Sequence, residues 1–295
     1  MLDGIMLLWF VLTAVSVLFV AIDIRNTPES PVLKWGFVLL TAYTGPIGAF
    51  LYVLGCREPL PGLHERYVAA RWRQVLGSTM HCVAGDGVGI LAGAMIAAWI
   101  GLGWAADVSL EYALGFGFGW TVFQALFMKD MAGGSYLRSL ARTFMPEWLS
   151  MNALMAGMIP VMTIAMARLP GSEHPASPAF WFVMSMALLA GFVCAYPING
   201  WLVARGIKHG MMTVRPGDTS PGAHVHDTMA ADHAEPSPSG HGSGHVHGPG
   251  APAQDSPAHE RKVSPWAMTG MTLLSLAMLA LGVFLALHFG HAMPA

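Results

Sequence analysis

Residues 76–102, LGSTMHCVAGDGVGILAGAMIAAWIGL, decide the fold class. The stretch is apolar over a length that lets a helix cross a hydrocarbon core of about 30 Å, which takes about 20 residues. It nevertheless contains His81, Cys82 and Asp86. Ionisable groups are costly inside a membrane, and where they occur they indicate a functional site. The stretch therefore predicts a transmembrane helix that carries a buried polar site.

Six further apolar runs have a comparable length, at approximately 4–22, 32–54, 108–127, 148–168, 178–204 and 265–288. Their hydrophobicity is continuous, whereas the strands of a membrane β-barrel alternate. The 295 residues are 54% hydrophobic and 11% charged, against about 25% charged in soluble domains. The sequence predicts an all-α polytopic membrane protein of about seven transmembrane helices, a six-helix body plus a C-terminal helix.

Composition divides the chain into four parts. Residues 1–62 carry two N-terminal transmembrane helices, and 63–212 form a four-helix transmembrane core. Residues 213–263 are rich in His, Pro and Gly and nearly lack large apolar residues, which predicts a disordered linker. Residues 264–295 hold the C-terminal transmembrane helix. The first helix has no basic region before it and no evident cleavage site, so we expect it to be retained.

Lysine and arginine collect on the cytoplasmic side of membrane proteins. With seven spans and the N-terminus in the cytoplasm, most of them fall on that side, namely Arg57, Arg66, Arg71, Arg73, Lys129, Arg138, Arg142, Arg205, Lys208, Arg215, Arg261 and Lys262. Arg25, Lys34 and Arg168 fall on the other side. We therefore predict an integral protein of the bacterial inner membrane, with its N-terminus cytoplasmic and its C-terminus outside.

Several classes of function are disfavoured. The formal net charge of −2 and the absence of a basic run argue against nucleic acid as a partner. The sequence contains no Walker A, GxGxxG, GxSxG or HExxH motif, so ATP-driven pumping by this chain alone is not expected. The three cysteines form no CxxC pair and do not identify a redox compartment.

Polar residues at the predicted cytoplasmic ends of spans three to six lie at one membrane level. The predicted metal ligands are His81, Cys82, Asp86, Glu147 and His209. The predicted supporting residues, which would orient those ligands, are Gln124, Asp130, Asn152 and Asn199. A purely structural interpretation remains open, in which Glu147 favours a helix dipole and Asn199 satisfies backbone freed by Pro197.

Methionine and histidine give two further signals. The chain has 21 methionines, and Met151, Met155, Met158 and Met162 form one stripe along the fifth span. Thioethers select Cu(I) over hard cations, so Met151 and Met155 are predicted auxiliary ligands, although methionine also simply packs. In the linker, the pairs His224 with His226 and His245 with His247 are predicted to collect metal ions, the alternative being a polar tether.

Glycines recur on the third span at positions 85, 89 and 93. This spacing makes two overlapping small-xxx-small motifs, which let another helix approach closely. The partner helix can belong to this chain or to another subunit.

Four segments carry a resemblance to a known family: 81–86 (HCVAGD), 145–152 (MPEWLSMN), 196–199 (YPIN) and 206–211 (GIKHGM). Together they resemble the bacterial membrane family known as domain of unknown function 4396, over roughly 70–212. The resemblance implies a multi-pass membrane protein and a recurring association with copper proteins, but no reaction.

The leading hypothesis is a membrane protein that handles a transition metal, copper rather than zinc or nickel. It would collect ions on the His-rich loop and bind them at the cytoplasmic end of spans three to six. Its partners would be the lipid bilayer, the metal ion, and other membrane subunits or copper proteins. The alternatives are a membrane metallo-oxidoreductase or hydrolase, and a structural or assembly subunit of a larger membrane complex; a role other than catalysis is preferred.

Overall fold

The computed structural model describes residues 2–27, 29–57, 64–128, 134–208, 210 and 263–290. Within them, every regular element is helical, which confirms the predicted all-α class. A 3-10 turn, Ile24–Asn26, extends the first helix, and a π-helical segment, Gly119–Gln124, joins the sixth to the seventh. The helices are α1 (Leu2–Asp23), α2 (Pro31–Thr44), α3 (Pro46–Gly55), α4 (His64–Val68), α5 (Arg71–Ile100), α6 (Trp104–Phe118), α7 (Ala125–Phe127), α8 (Tyr136–Met166), α9 (Pro178–Ala204) and α10 (Pro265–Gly290).

Serine caps begin three of these helices. The hydroxyl oxygens of Ser30, Ser135 and Ser177 accept hydrogen bonds from backbone N–H groups in the first turns of α2, α8 and α9. Proline follows the cap in α2 and α9, where its missing N–H costs nothing because a first-turn donor has no intrahelical partner. The sequence thus fixes where these helices start.

Five helices are long and apolar enough to cross a membrane: Leu2–Asn26, Arg71–Ile100, Tyr136–Met166, Pro178–Ala204 and Pro265–Gly290. The most apolar windows of α5, α8 and α9 are 56%, 61% and 56% buried, against 6% for α1 and 17% for α10. The first three therefore form the centre of the bundle, while α1 and α10 expose apolar side chains outward. These features define an integral membrane protein.

The apolar run at 32–54 folds into a helical hairpin. The rings of Phe37 in α2 and Tyr52 in α3 lie 5.4 Å apart between centroids, whereas a straight helix would separate them by about 22 Å along its axis. A methyl group added at Gly48 would lie 2.7 Å from Thr41 Cα, so the two helices pack backbone to backbone.

The hairpin turns at Gly45, whose φ of 59° suits glycine, and Pro46 then opens α3. Its tip lies beside Trp9 and Thr13 of α1. A cavity of about 520 Å³ lies in this region, lined by Trp9 and Tyr43 among others. The hairpin therefore stops short of the far end of the bundle.

Both ends of the hairpin lie where α1 ends. Tyr52 Oη and Arg57 Nε donate to Asp23 Oδ2 at 2.8 and 2.9 Å, and Lys34 Nζ donates to the Arg25 carbonyl. The single crossing predicted over 32–54 is therefore wrong, because the chain enters and leaves this segment at one end of the bundle.

The same end receives the start of α5 and the end of α9. Arg73 donates to the Leu54 carbonyl and Arg71 to the Ala204 carbonyl. We call this the basic end. The prediction that placed Arg25 and Lys34 on the opposite side from Arg57 is corrected by the hairpin, since all three lie at the basic end.

The glycine stripe of α5 packs against the chain's own sixth helix. Methyl groups added at Gly93 and Gly85 would lie 2.8 Å from Glu111 Cα and 2.7 Å from the Phe123 ring, and Gly89 lies directly against the Leu114 carbonyl. The close approach predicted from the spacing is thus internal to this chain, which removes these glycines as a docking surface for another subunit.

Helix α10 packs on α8, although some fifty residues precede it outside the described ranges. Its Gly282 lies against Ala156 of α8, and Ser275 and Ala286 are fully buried. The described residues before the linker and those of α10 belong to one compact unit. The C-terminal helix that the sequence sets apart is thus packed with the helices that precede the linker.

Candidate functional site

A buried ion pair forms the centre of the candidate site. Lys208 Nζ lies 3.1 Å from Glu147 Oε2, and the two side chains are 4% and 0% exposed. The same ammonium donates to Asn199 Oδ1 at 3.0 Å and to Cys82 Sγ at 2.5 Å. Lys208 is therefore a cation enclosed by three acceptor atoms from three different helices.

Cys82 lies at the junction of these contacts. Its thiol donates to Glu147 Oε2 at 3.2 Å, while its sulfur accepts from Lys208 and from Gln124 Nε2, the latter at 2.8 Å. Gln124 is the last residue of the π-helical segment, and such segments often occur at functional sites because they redirect a side chain. We call Cys82, Gln124, Glu147, Asn199 and Lys208 the lysine cluster.

The end of α9 directs Lys208 back into the bundle. Gly206 has a left-handed φ of 69°. The Ile207 N–H bonds to the Leu202 carbonyl at 3.0 Å and the Gly206 N–H to the Val203 carbonyl at 3.1 Å. This pair of bonds is a Schellman motif, in which glycine reverses the chain at a helix end. Lys208 follows the reversal and reaches Asn199, nine residues earlier.

Asp86 adjoins the lysine cluster from one turn further along α5. It is fully buried and packs directly against Gly119, and neither of its carboxylate oxygens has a hydrogen-bond partner among the described residues. An unpartnered carboxyl group thus lies four residues after Cys82 on α5.

His81 faces a different neighbour. Its Nε2 lies 3.2 Å from the Phe123 carbonyl oxygen, and its ring packs edge-on against the Phe123 ring at 5.3 Å. The imidazole thus joins α5 to the π-helical segment, and no direct contact with the Lys208 ammonium is among its described interactions. Its role as a metal ligand stays a prediction.

The remaining predicted residues divide into two groups. Asn152 lies apart from the lysine cluster, accepting from Tyr112 Oη at 2.7 Å and donating to Ser275 Oγ at 3.3 Å. Met151 and Met155 are fully buried, and Met151 packs close to Gly115 of α6. The residues that lie outside the described ranges are Asp130, His209, His224, His226, His245 and His247.

Of the residues predicted for the site, Cys82, Gln124, Glu147 and Asn199 lie together in the structure, and their role at a metal site stays a prediction. Lys208 was not among the predicted site residues. Lys208 follows the end of a helix and resembles an ordinary cytoplasmic loop charge. The signal that could have found it is Gly206, because a glycine at a helix end often reverses the chain and returns the next residues to the bundle.

The lysine cluster contains ligand atoms that a soft cation can use, but the Lys208 ammonium occupies the position between them. Cys82 and Glu147 offer sulfur and carboxylate oxygen within 3.2 Å of each other. Within the described ranges, no group of three or more His, Cys, Asp or Glu side chains is arranged to hold a metal ion. A metal ion at Cys82 and Glu147 would have to replace the Lys208 ammonium.

The fold and this cluster define a helical membrane protein with a charge-balanced polar site buried between its central helices. The model of the family described as Domain of unknown function (DUF4396) matches residues 71–208. The match begins at the first residue of α5 and ends at Lys208, so it contains the whole lysine cluster. No curated protein and no solved structure matches the chain.

Proposed function

We propose that the protein handles a cation within the membrane and that the lysine cluster is its binding site. The observation that carries the proposal is the Lys208 ammonium, which is held inside the bundle by Cys82, Glu147 and Asn199. Burying an ammonium is costly unless acceptors surround it. The sulfur and oxygen atoms that surround the Lys208 ammonium are also able to coordinate a free cation.

The proposed cargo is a soft monovalent cation, with Cu(I) favoured. The thiol of Cys82 becomes a thiolate when a metal ion displaces its proton, and thiolates prefer Cu(I) to hard cations. Glu147 Oε2, which accepts the Cys82 thiol hydrogen bond at 3.2 Å, lies where it can take the thiol proton that the metal ion displaces. Lys208 lies beyond the last residue of α9, so its side chain can withdraw without unwinding a spanning helix.

Orientation follows from the basic end. Among the described residues, this end holds Arg25, Lys34, Arg57, Arg71, Arg73, Arg138, Arg142, Arg205 and Lys208, and the opposite end holds Arg168. The excess of Lys and Arg makes the basic end cytoplasmic. We propose six crossings, by α1, α5, the α6 to α7 run, α8, α9 and α10, together with one hairpin, with both termini outside.

The test is metal binding to full-length protein in detergent, with Ag(I) as a redox-inert substitute for Cu(I). Thiolate-to-metal absorption in the ultraviolet reports binding at cysteine and is not produced by the histidines of the linker. Cys82→Ser is expected to abolish the signal that saturates at the highest affinity. Cys56→Ser, which removes another buried cysteine outside the cluster, is the matched control and is expected to retain it.

Lys208→Gln separates a cation site from a packing interaction. If the ammonium competes with the metal, removing it raises Ag(I) affinity about tenfold or more, because the apparent affinity scales with the fraction of vacant sites. Unchanged or weaker Ag(I) binding in Lys208→Gln would contradict the proposal and leave Lys208 as a structural ion-pair partner.

A further inference from the structure

An apolar groove lies on the outer surface of the bundle at the basic end, between α3, α5 and α9. Its volume is about 330 Å³, and aliphatic and aromatic side chains line it. Leu76 and Phe192 are buried and form its inner wall, whereas Val193 is 63% exposed at its open side. The groove is therefore open to the surroundings of the bundle, which are lipid for an integral membrane protein.

Two aromatic residues place one end of the groove at the edge of the membrane. Trp72 and Tyr196 both line it, and Tyr196 Oη donates a hydrogen bond to the Trp72 carbonyl oxygen at 3.2 Å. Tryptophan and tyrosine are enriched where the hydrocarbon core meets the polar headgroups, because each combines an apolar ring with a polar atom. Trp72 is also the second residue of α5, which starts at the basic end. This end of the groove therefore lies at the level of the lipid headgroups.

Arg73 lies at the same end of the groove. Its Nε donates to the Leu54 carbonyl oxygen at 3.2 Å, and its Nη1 donates to the Tyr67 carbonyl oxygen at 2.9 Å. The guanidinium carbon lies 3.6 Å from the centroid of the Tyr67 ring and 4.4 Å from that of the Trp72 ring. These contacts hold the guanidinium group beside Leu54 and Trp72, two residues that line the groove.

The positive charge at this end of the groove has no carboxylate beside it. Within the described ranges, neither Arg71 nor Arg73 forms an ion pair. Arg71 donates to the Ala204 carbonyl oxygen at 3.3 Å, so its guanidinium group lies toward α9 as that of Arg73 lies toward α3. A guanidinium group has more N–H donors than these carbonyl contacts use. The unused donors are available to an anion at the headgroup level.

We propose that the groove and Arg73 together form a binding site for an anionic phospholipid. An acyl chain lies in the groove against Leu76 and Phe192, and the phosphate oxygens accept hydrogen bonds from the Arg73 guanidinium group. Arginine matches the geometry of phosphate through parallel hydrogen bonds, and basic pockets between membrane helices bind anionic headgroups. The site goes beyond the proposed function and does not depend on a cation at the lysine cluster.

The test is native mass spectrometry of the full-length protein in detergent, titrated with phosphatidylglycerol or with phosphatidylcholine of the same acyl chains. The wild type is expected to bind phosphatidylglycerol at least about fivefold more tightly, because one basic residue beside an anionic headgroup contributes about that factor. Equal affinity for the two lipids would overturn the proposal and make the groove an unselective surface for acyl chains.

Val193→Trp tests whether the acyl chain occupies the groove. The larger side chain fills the groove from its open side, and the change spares the buried packing because Val193 is 63% exposed. High-affinity phosphatidylglycerol binding is expected to be lost. Val15→Trp is the matched control, since Val15 is 61% exposed on α1 and does not line the groove. Wild-type affinity in Val193→Trp would place the bound lipid elsewhere and overturn the site.

Arg73→Gln tests the headgroup contact. Phosphatidylglycerol affinity is expected to fall about fivefold while phosphatidylcholine affinity stays the same, so the preference between the two lipids decreases. Comparing the two lipids within one variant separates this effect from any loss of stability. Arg142→Gln removes an exposed charge on α8 that does not line the groove, and it is expected to retain the preference. An equal change in both variants would indicate general attraction to the basic end and overturn the Arg73 site.

Discussion

The two ends of the α5 to α6 pair bury charge in opposite ways. At the basic end, the Lys208 ammonium lies in contact with Glu147, Cys82 and Asn199, although Glu147 Oε1 and both Asp86 carboxylate oxygens have no hydrogen-bond partner among the described residues. At the other end, Glu111 is buried beside a cavity with no hydrogen-bond partner among the described residues. One end thus contains a buried cation and the described part of the other does not, so substitutions at the two ends should have very different energetic effects.

The largest loss of unfolding free energy is expected from Lys208→Met. Removing one partner of a buried ion pair leaves an uncompensated charge and costs about 3–5 kcal/mol. Equilibrium unfolding of the detergent-solubilised protein measures the loss. The double variant Lys208→Met with Glu147→Gln should recover most of it, since neither charge then remains. A loss below about 1 kcal/mol for Lys208→Met alone, the range of exposed ion pairs, would mean that the pair is solvated.

A smaller loss of unfolding free energy is expected at the contact between Gly89 of α5 and Leu114 of α6. A side chain at Gly89 collides with the Leu114 carbonyl, and such overpacking costs about 1–3 kcal/mol. Gly89→Ala should therefore lower the unfolding free energy. Gly117→Ala is the matched control, because a methyl group there meets nothing within 4 Å and alanine favours a helix by about 1 kcal/mol over glycine. Because helix propensity alone would stabilise both variants, an unchanged or higher unfolding free energy in Gly89→Ala would mean that the α5 to α6 contact tolerates a side chain at this position.

The smallest change in unfolding free energy is expected from Glu111→Gln. The side chain has no partner to lose, so the unfolding free energy should change by less than about 1 kcal/mol. A cost comparable to that of Lys208→Met would remove the contrast between the two ends.

The sequence predicts the helical membrane class because composition and run length decide it. It does not separate a spanning helix from a hairpin at 32–54, since both require the same apolar surface. The local signal is Gly45 followed by Pro46: glycine favours a helix end and proline a helix start. The hairpin brings Arg25 and Lys34 to the basic end, beside Arg57.

The depth of the site residues in the membrane could be predicted from the sequence, but their lateral contacts could not. Cys82, Glu147 and Asn199 lie on helices whose depth in the membrane follows from their sequence positions, so their proximity could be expected. Lateral contact depends on side-chain packing, which explains why Asn152 lies with Tyr112 and Ser275 instead. Lys208 could not be placed by depth, because a Schellman motif returns it from outside the helix.

The hairpin of α2 and α3 is neutral with respect to topology. Because residue 31 and residue 55 lie at the same end of the bundle, the segment adds no net crossing. A chain that lacked it would still deliver Arg71 to the same face of the membrane. The orientation of residues 71–208 therefore depends on α1 and on the charges of the domain itself, and insertions or losses within 31–55 can accumulate without inverting that domain.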